Sequence, residues 1–291
     1  MDICNHCAED TVVTQSMSSP RPARKLETPA RSCVPQNSVY FLKTAKCAST
    51  TFSQIFTAYG LKHALAFALP IRYGLLPISP KVLSPEYHGA PDGRYHMVVS
   101  HTQFNKKGTE QVMKESAKYV ATIREPASRF ESMWYFGNYE KVKGEVLSKA
   151  KWLNDSFDLV MVAERFDESL VLLKHLMCWN TEDVAYAKAK VRRPTYRAEL
   201  SEAQKNRLRQ LNRQDTILYK FFREIFEEKV KAFGEERMQR EVEELRQANA
   251  RLIDDCGAEL TGTRGTVKMW KVTDNSNICK MLSMDGVNVQ N

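Results

Sequence analysis

The sequence predicts an α/β fold: a central, mostly parallel sheet flanked by helices, followed by a helix-rich C-terminal half. Two patterns carry that expectation. In the first half, short apolar, β-prone runs alternate with stretches of helical periodicity, and strands that alternate with helices pair in parallel with both faces covered. In the second half the apolar residues recur mostly at intervals of three and four. The 291 residues, 43% hydrophobic and 27% charged, suffice for one large domain or two small ones.

Residues 1–37 are expected to form a disordered tail. Pro20, Pro22, Pro29 and Pro35 lie there among Ser, Thr and balanced charge, with almost nothing large to bury. Cys4, His6 and Cys7 cluster in the tail and Cys33 lies further on. A zinc site usually needs a second pair at matching spacing, and none follows nearby, so no metal is expected.

Val39-Tyr40-Phe41-Leu42 reads as a buried strand. Phe52, Ile55, Phe56 and Tyr59 then repeat at helical spacing, with Gly60 as a stop. A second strand is expected over 95–100. A third, Tyr119 to Ile123, leads through Arg124-Glu125-Pro126 into a helix from Ala127 to about Tyr139. After Leu159 the pattern turns mostly helical. Leu170, Leu172, Leu173, Leu176 and Met177 mark one amphipathic segment, and Ile217 to Val230 mark another that ends near Gly234. Met238, Val242, Leu245 and Leu252 mark a third. These stripes read as core, and the Glu/Arg-rich stretch 235–251 as a solvated helix face with i,i+4 pairs.

Composition narrows the function. A formal net charge of +8 suits an anionic ligand or surface. The basic residues are spread among acids and no RNA-module aromatic motif occurs, so no nucleic-acid partner is expected. Seven cysteines are too few for a disulfide scaffold, and an odd count leaves at least one thiol without an intramolecular partner. The longest apolar stretch, 64–71, contains Pro70 and is followed by Arg72. It falls far short of the roughly 18 residues a membrane span needs. Asp2, Glu9 and Asp10 sit where a secretory leader would be basic. The chain as written is therefore expected to be soluble, with neither leader nor membrane anchor.

Two loops carry the chemistry. The first is Lys43-Thr44-Ala45-Lys46-Cys47-Ala48-Ser49-Thr50-Thr51, delivered by a buried strand and opening a helix. The amides at a helix start lack intrahelical partners and carry the positive end of the dipole, which suits a phosphate. Lys46 adds a charge, and Ser49, Thr50 and Thr51 add hydroxyls. An ordinary N-cap made of Ser and Thr fits the same residues. There is no G-x-x-x-x-G-K-[ST] motif and no Gly-Lys pair, which argues against an ordinary ATPase or GTPase. The second loop begins at Arg124, at the carboxyl edge of the sheet where open α/β folds bind ligands. Arg124 and Ser132, two turns into the next helix, can share one phosphate. Alternatively, Arg124 pairs with Glu125 or Glu131.

Together the stretches 41–51 and 123–132 resemble the galactose-3-O-sulfotransferase family. The likeness continues through His63 to Pro70, Ser100-His101-Thr102-Gln103-Phe104-Asn105 and Ala163 to Leu170, and covers roughly residues 37 to 255. The resemblance implies a P-loop-like sulfotransferase fold and the sulfuryl donor 3′-phosphoadenosine 5′-phosphosulfate (PAPS), with no metal. The domain then spans 38–291: a nucleotide-binding core at 38–145, a mostly helical acceptor and packing part at 146–255, and a C-terminal segment at 256–291. It implies that Lys43, Lys46, Cys47, Ala48, Ser49, Thr50 and Thr51 cradle the 5′-phosphosulfate, and that Arg124 and Ser132 hold the 3′-phosphate. Lys46 neutralises the leaving phosphate, and His101 is the leading general base, with His96, His63 or a glutamate in reserve.

The implied acceptor is the 3-hydroxyl of galactose in a galactosylceramide-like glycolipid or a glycan, and the implied location is the Golgi lumen. Two other readings stay open: a P-loop-like nucleotide kinase, and a non-catalytic nucleotide- or glycan-binding relative. The chain departs from the family at Ala45, where family loops usually carry His, and in lacking the family's N-terminal anchor. Asn154-Asp155-Ser156 is a glycosylation sequon consistent with a lumenal domain. Cys256 and Cys279 can pair in such a compartment, whereas Cys47 is expected to stay free.

Overall fold

The computed structural model describes residues 33–68, 93–102, 104–134 and 146–283. The Cys4/His6/Cys7 cluster, most of the expected tail and the far end of the helix drawn to Tyr139 lie outside the described residues.

Val39, Tyr40 and Phe41 are completely buried, as a strand covered on both faces must be. They belong to β1 (Val39–Leu42). β1 leads into α1 (Ser49–Lys62), and β2 (Met97–Val98) is followed by α2 (Lys106–Val112). β3 (Lys118–Ile123) leads to α3 (Pro126–Trp134) and α4 (Val146–Ser156), and β4 (Leu159–Val162) to α5 (Phe166–Met177). The four strands form one parallel sheet in the order β2-β1-β3-β4, with Leu42 opposite Ala121 and Ile123 opposite Val162. Alternation along β1 separates two cores. Val39 and Phe41 join Phe52, Phe56, Leu170 and Phe226 on one face; Tyr40 joins Val98, Ala121 and Phe157 on the other.

This strand order creates the place for a site. From β1 the chain crosses to β2 on one side, then returns to β3 on the other. The carboxyl ends of β1 and β3 therefore feed loops that diverge, and ligands of open α/β sheets bind in the crevice between such loops.

The second half contains β5 (Val191–Arg192), α6 (Glu202–Leu211), α7 (Arg213–Phe233) and α8 (Glu235–Asp255). After them come β6 (Glu259–Arg264), β7 (Val267–Lys271) and α9 (Asn277–Ser283). The Phe and Met stripes are core as expected, with Phe222, Phe226, Val230, Met238 and Leu245 buried. Arg237 and Glu241 form an i,i+4 pair at 2.9 Å on α8, but Glu241 lies against α5, where Lys174 also pairs with it at 2.9 Å, and not on a solvated face. Among the described residues no helix is long and apolar enough to cross a membrane.

Several expectations change. The strand over 95–100 shrinks to two residues because its ends bond elsewhere. The Tyr95 amide donates to the Val112 carbonyl (2.8 Å), and the Val99 carbonyl accepts the Ser53 hydroxyl (2.9 Å). Gly60 does not stop α1, which runs on to Lys62. A Cβ at Gly60 would lie 2.3 Å from the Phe67 ring, so glycine serves close packing there. β4 and the antiparallel sheet β5-β7-β6 interrupt the supposed run of helices.

The tail boundary at residue 37 falls inside an anchored segment. Cys33 is bonded to Cys178, the Gln36 amide donates to the Met177 carbonyl (2.8 Å), and Tyr59 donates to the Asn37 side chain (2.8 Å). Cys33 thus belongs to a disulfide, not to a metal cluster.

Cys256 and Cys279 form the second disulfide, as expected, joining the end of α8 to α9 across 23 residues. Closing a loop of that length stabilises by about 3 kcal/mol, so the Cys256→Ser/Cys279→Ser variant is expected to melt about 6–12 °C lower. Calorimetry of the two proteins checks this, and an unchanged Tm would assign the bridge no structural role.

Candidate functional site

The first loop, between β1 and α1, has left-handed backbone at alternate residues, Lys46 (φ 61°) and Ala48 (φ 57°). Non-glycine residues adopt this region at a cost, and alternation of this kind turns successive amides toward one concavity suited to an anion. Two arginines hold the loop by its carbonyls. Arg129 Nε donates to the Ala45 carbonyl (3.2 Å) and Arg124 Nη1 to the Lys46 carbonyl (3.1 Å). The N-cap of α1 is Ala48, with no side-chain cap. The ordinary Ser/Thr cap is therefore not what these residues form.

Arg124 does not pair with either acid suspected from the sequence. Glu125 accepts from Arg209 Nε (2.9 Å) and caps the amides of Ala127 (3.1 Å) and Ser128 (2.8 Å) at the head of α3. Glu131 accepts a guanidinium fork from Arg192, with one arm at 2.8 Å. Arg124, Ser128 and Ser132, spaced by four, present one face from the end of β3 and along α3.

His101 follows β2, on the β1 side of the sheet edge. Its Nδ1 lies 2.9 Å from the Lys43 carbonyl. A carbonyl only accepts, so Nδ1 carries the proton, and in the neutral ring Nε2 is left with a lone pair. Burial and the Lys43 charge lower the His101 pKa below its ordinary value, so the neutral form prevails at pH 7.

These pieces meet in one cleft of about 610 Å³. Lys46, Ala48, Ser49, Thr50, Thr51, His101, Arg124 and Ser132 all line it. Lys43 and Cys47 do not. Burial pushes the Lys43 amine down to about 8, and its carbonyl serves to orient His101. Cys47 is fully buried and free, its thiol pushed up to about 12 by burial, and it faces a separate apolar cavity between the sheet and α7. Of the reserve bases, His96 accepts from the Ala66 amide (3.3 Å) and His63 caps the far end of α1, its ring tilted at 38° against Tyr59. Glu164, just after β4, does line the cleft; it accepts the Glu125 amide (2.9 Å) and the Tyr219 hydroxyl (3.3 Å).

Sequence reasoning missed the strap at 186–198 that borders the cleft. It contributes Tyr186, Lys188, Lys190, Arg192 and Arg197. The Trp270 indole on β7 donates to the Lys188 carbonyl (3.0 Å), and β5 pairs with β7, so the disulfide-linked C-terminal sheet holds this strap. The period-two spacing of Lys188, Lys190 and Arg192 is the signal that would have found it.

Cations outnumber acids around the cleft, where Lys46, Arg124, Lys188, Lys190, Arg192 and Arg197 face the single carboxylate Glu164 among its lining residues. Burial, together with Lys190, Arg192 and Arg124, pushes the Lys46 amine down to about 8. Cations crowded to this degree make a site that gains when an anion enters. Among the described residues no group of three or more His, Cys, Asp or Glu is placed to hold a metal ion.

A family model for galactose-3-O-sulfotransferase matches residues 6–149 and 141–264. Galactosylceramide sulfotransferase of Mus musculus is 31% identical, over 78% of this chain and 66% of its own length, and that of Homo sapiens has the same values. Galactose-3-O-sulfotransferase 3 of Mus musculus is 30% identical over 75% of this chain and 63% of its own. The chain thus spans just under two thirds of the length of these relatives.

Proposed function

The chain belongs to the galactose-3-O-sulfotransferase family, and on that premise we propose that it transfers a sulfuryl group from PAPS to the 3-hydroxyl of a galactose in a glycolipid or glycan. One observation carries the reading: two loops 78 residues apart, joined by the Arg124–Lys46 hydrogen bond, close a cation-lined cleft onto which a neutral histidine opens. The names of the relatives support the galactose acceptor, and galactosylceramide in particular.

The residues fit a bisphosphorylated nucleotide carrying a sulfate. The left-handed turn at Lys46 and Ala48 and the head of α1 would hold the 5′ end; Arg124 and Ser132, with Ser128, would hold the 3′-phosphate. When bound, PAPS supplies the sulfuryl group, its sulfur bonding to the acceptor oxygen as the bond to the 5′-phosphate breaks and leaves its electron pair on the phosphate. His101 Nε2 takes the proton of the acceptor hydroxyl, with Nδ1 fixed on the Lys43 carbonyl. Lys46 neutralises the charge that gathers on the leaving oxygen. The remaining contribution is alignment of the acceptor hydroxyl with the donor. The two disulfides support maturation in an oxidising compartment, and with the family a Golgi-lumenal location.

The test is turnover of labelled PAPS against a panel of galactosides together with binding of adenosine 3′,5′-bisphosphate. Sulfation of the galactose 3-hydroxyl is expected. Binding without turnover on every galactoside would leave a nucleotide-binding relative, and preference for ATP would revive a kinase. The binding has a pH signature. Lys46 is charged below about pH 8 and loses its proton above it. The Kd for the bisphosphate is therefore expected to rise about tenfold from pH 7 to pH 9. Calorimetry checks this, and a flat profile would remove Lys46 from the nucleotide.

A further inference from the structure

The strap carries a cation that lies outside the two loops read from the sequence. Lys190 has a left-handed backbone (φ 49°) although it is not glycine. Such a conformation persists only where the surroundings over-determine it, and it is a mark of functional sites. Here both flanks are fixed. The Ala189 amide donates to Thr51 Oγ1 (3.0 Å) in the first turn of α1. On the other flank Arg192 is forked onto Glu131 of α3, which also accepts the Ala198 amide (3.0 Å). The strap is therefore tied to the two helices that begin at the Lys46 and Arg124 loops. Lys190 lines the cleft beside Lys46 and His101. Burial is the largest cause of the lowered pKa of Lys43, Lys46 and His101, and the Lys190 charge lowers all three further, alongside Arg192 and Arg124 on Lys46 and Lys43 on His101.

We propose that Lys190 is a catalytic residue, a second cation brought by the strap that shares with Lys46 the charge developing on the leaving phosphate oxygen. This rests on the sulfotransferase reading. The balance is that of the transfer already described: the acceptor O–S bond forms, the S–O bond to the 5′-phosphate breaks, the electron pair stays on the phosphate, and the acceptor proton goes to His101. Two lysines from different segments give the leaving group a site that is complete only when the strap is seated. The strain at Lys190 and the anchors around it serve that placement.

The experiment compares Lys190→Met and Lys190→Arg with the wild-type chain. In Lys190→Met, kcat is expected to fall about a hundredfold. The KM for PAPS, whose bridging oxygen does not yet carry the developing charge, should change less than threefold, the Kd for adenosine 3′,5′-bisphosphate, whose 5′-phosphate carries that charge in full, should rise, and the Arg variant should recover most of the loss in kcat. A second readout needs no turnover. NMR titration of the unliganded protein should show the pKa values of both His101 and Lys46 rising in Lys190→Met, because a neighbouring positive charge has gone. A wild-type chain that sulfates galactosides alongside a fully active Lys190→Met would overturn the role of Lys190 alone. So would a loss confined to the KM for PAPS, an unchanged bisphosphate affinity, or unmoved titrations in a folded variant. Absence of turnover in the wild type across the panel would overturn the sulfotransferase reading and this role with it.

Discussion

His101→Asn is expected to lower kcat by about 10²- to 10⁴-fold, the range general-base removal usually shows. Asparagine is chosen because its amide can keep the donation to the Lys43 carbonyl that His101 Nδ1 makes at 2.9 Å. The variant thus retains the hydrogen bond and loses only the lone pair of Nε2. Its Tm and its affinity for adenosine 3′,5′-bisphosphate should stay near wild type. The pH profile adds a second criterion. The His101 pKa lies below the ordinary histidine value, with burial the largest cause. The wild-type rate should therefore rise with pH as the ring loses its proton, levelling off before neutrality, and that acid limb should vanish in His101→Asn. If kcat survives within threefold with the limb intact, the proton goes elsewhere. Glu164, in the same cleft, is then the next group to test.

Lys46→Met is expected to cost about 10²- to 10³-fold in kcat, comparable to removing a donor from an oxyanion site. Methionine keeps the unbranched stem, and the bond from Arg124 is made by the Lys46 backbone carbonyl, so the loop retains its tie to β3. The loss then reports the ammonium itself. Wild-type activity should also decline above about pH 8 as Lys46 gives up its proton, and this alkaline limb should be absent from Lys46→Met. Steady-state kinetics from pH 6 to 9.5 on both proteins decides the matter. Equal kcat in the two, or an alkaline limb that persists in the variant, would remove Lys46 from the chemistry.

Much of the cleft lining could be read because strand-loop-helix units in α/β folds are local in sequence. A buried strand, a turn and a helix start within about a dozen residues fix the position of Lys46 and the head of α1 before any tertiary contact is considered. Arg124 was found by the same rule applied to β3. The contribution of Lys43 and Cys47 was less legible, since residue type says nothing about which way a loop side chain turns. Lys43 orients His101 through its carbonyl, and Cys47 is buried on the far side of the loop. The strap stayed hidden for another reason. Lys190 and Arg192 lie more than 60 residues beyond the second loop, and what marks them, the anchors to Thr51 and Glu131, exists only in three dimensions.

The fold divides in the same manner. β1, β3, α1 and the long helices α7 and α8 follow from periodicity because each must bury a continuous apolar face. β2 and β4 are too short for periodicity to separate from their surroundings, and their existence depends on which neighbours supply hydrogen bonds. Cys33 shows this most sharply: proline-rich flanks read as tail, yet a disulfide to Cys178 brings its segment against the end of α5.

By itself, the sequence determined the parallel α/β core, the loop that opens α1 and the arginine at the end of β3, because local periodicity and helix-start chemistry are written in neighbouring residues. Tertiary structure alone decided which ring nitrogen of His101 is bound to the Lys43 carbonyl, where Lys43 and Cys47 turn, and that a disulfide-braced strap brings Lys190 to the cleft. Those depend on contacts between segments far apart in the chain, where burial and charge are set by whatever residues the fold places alongside.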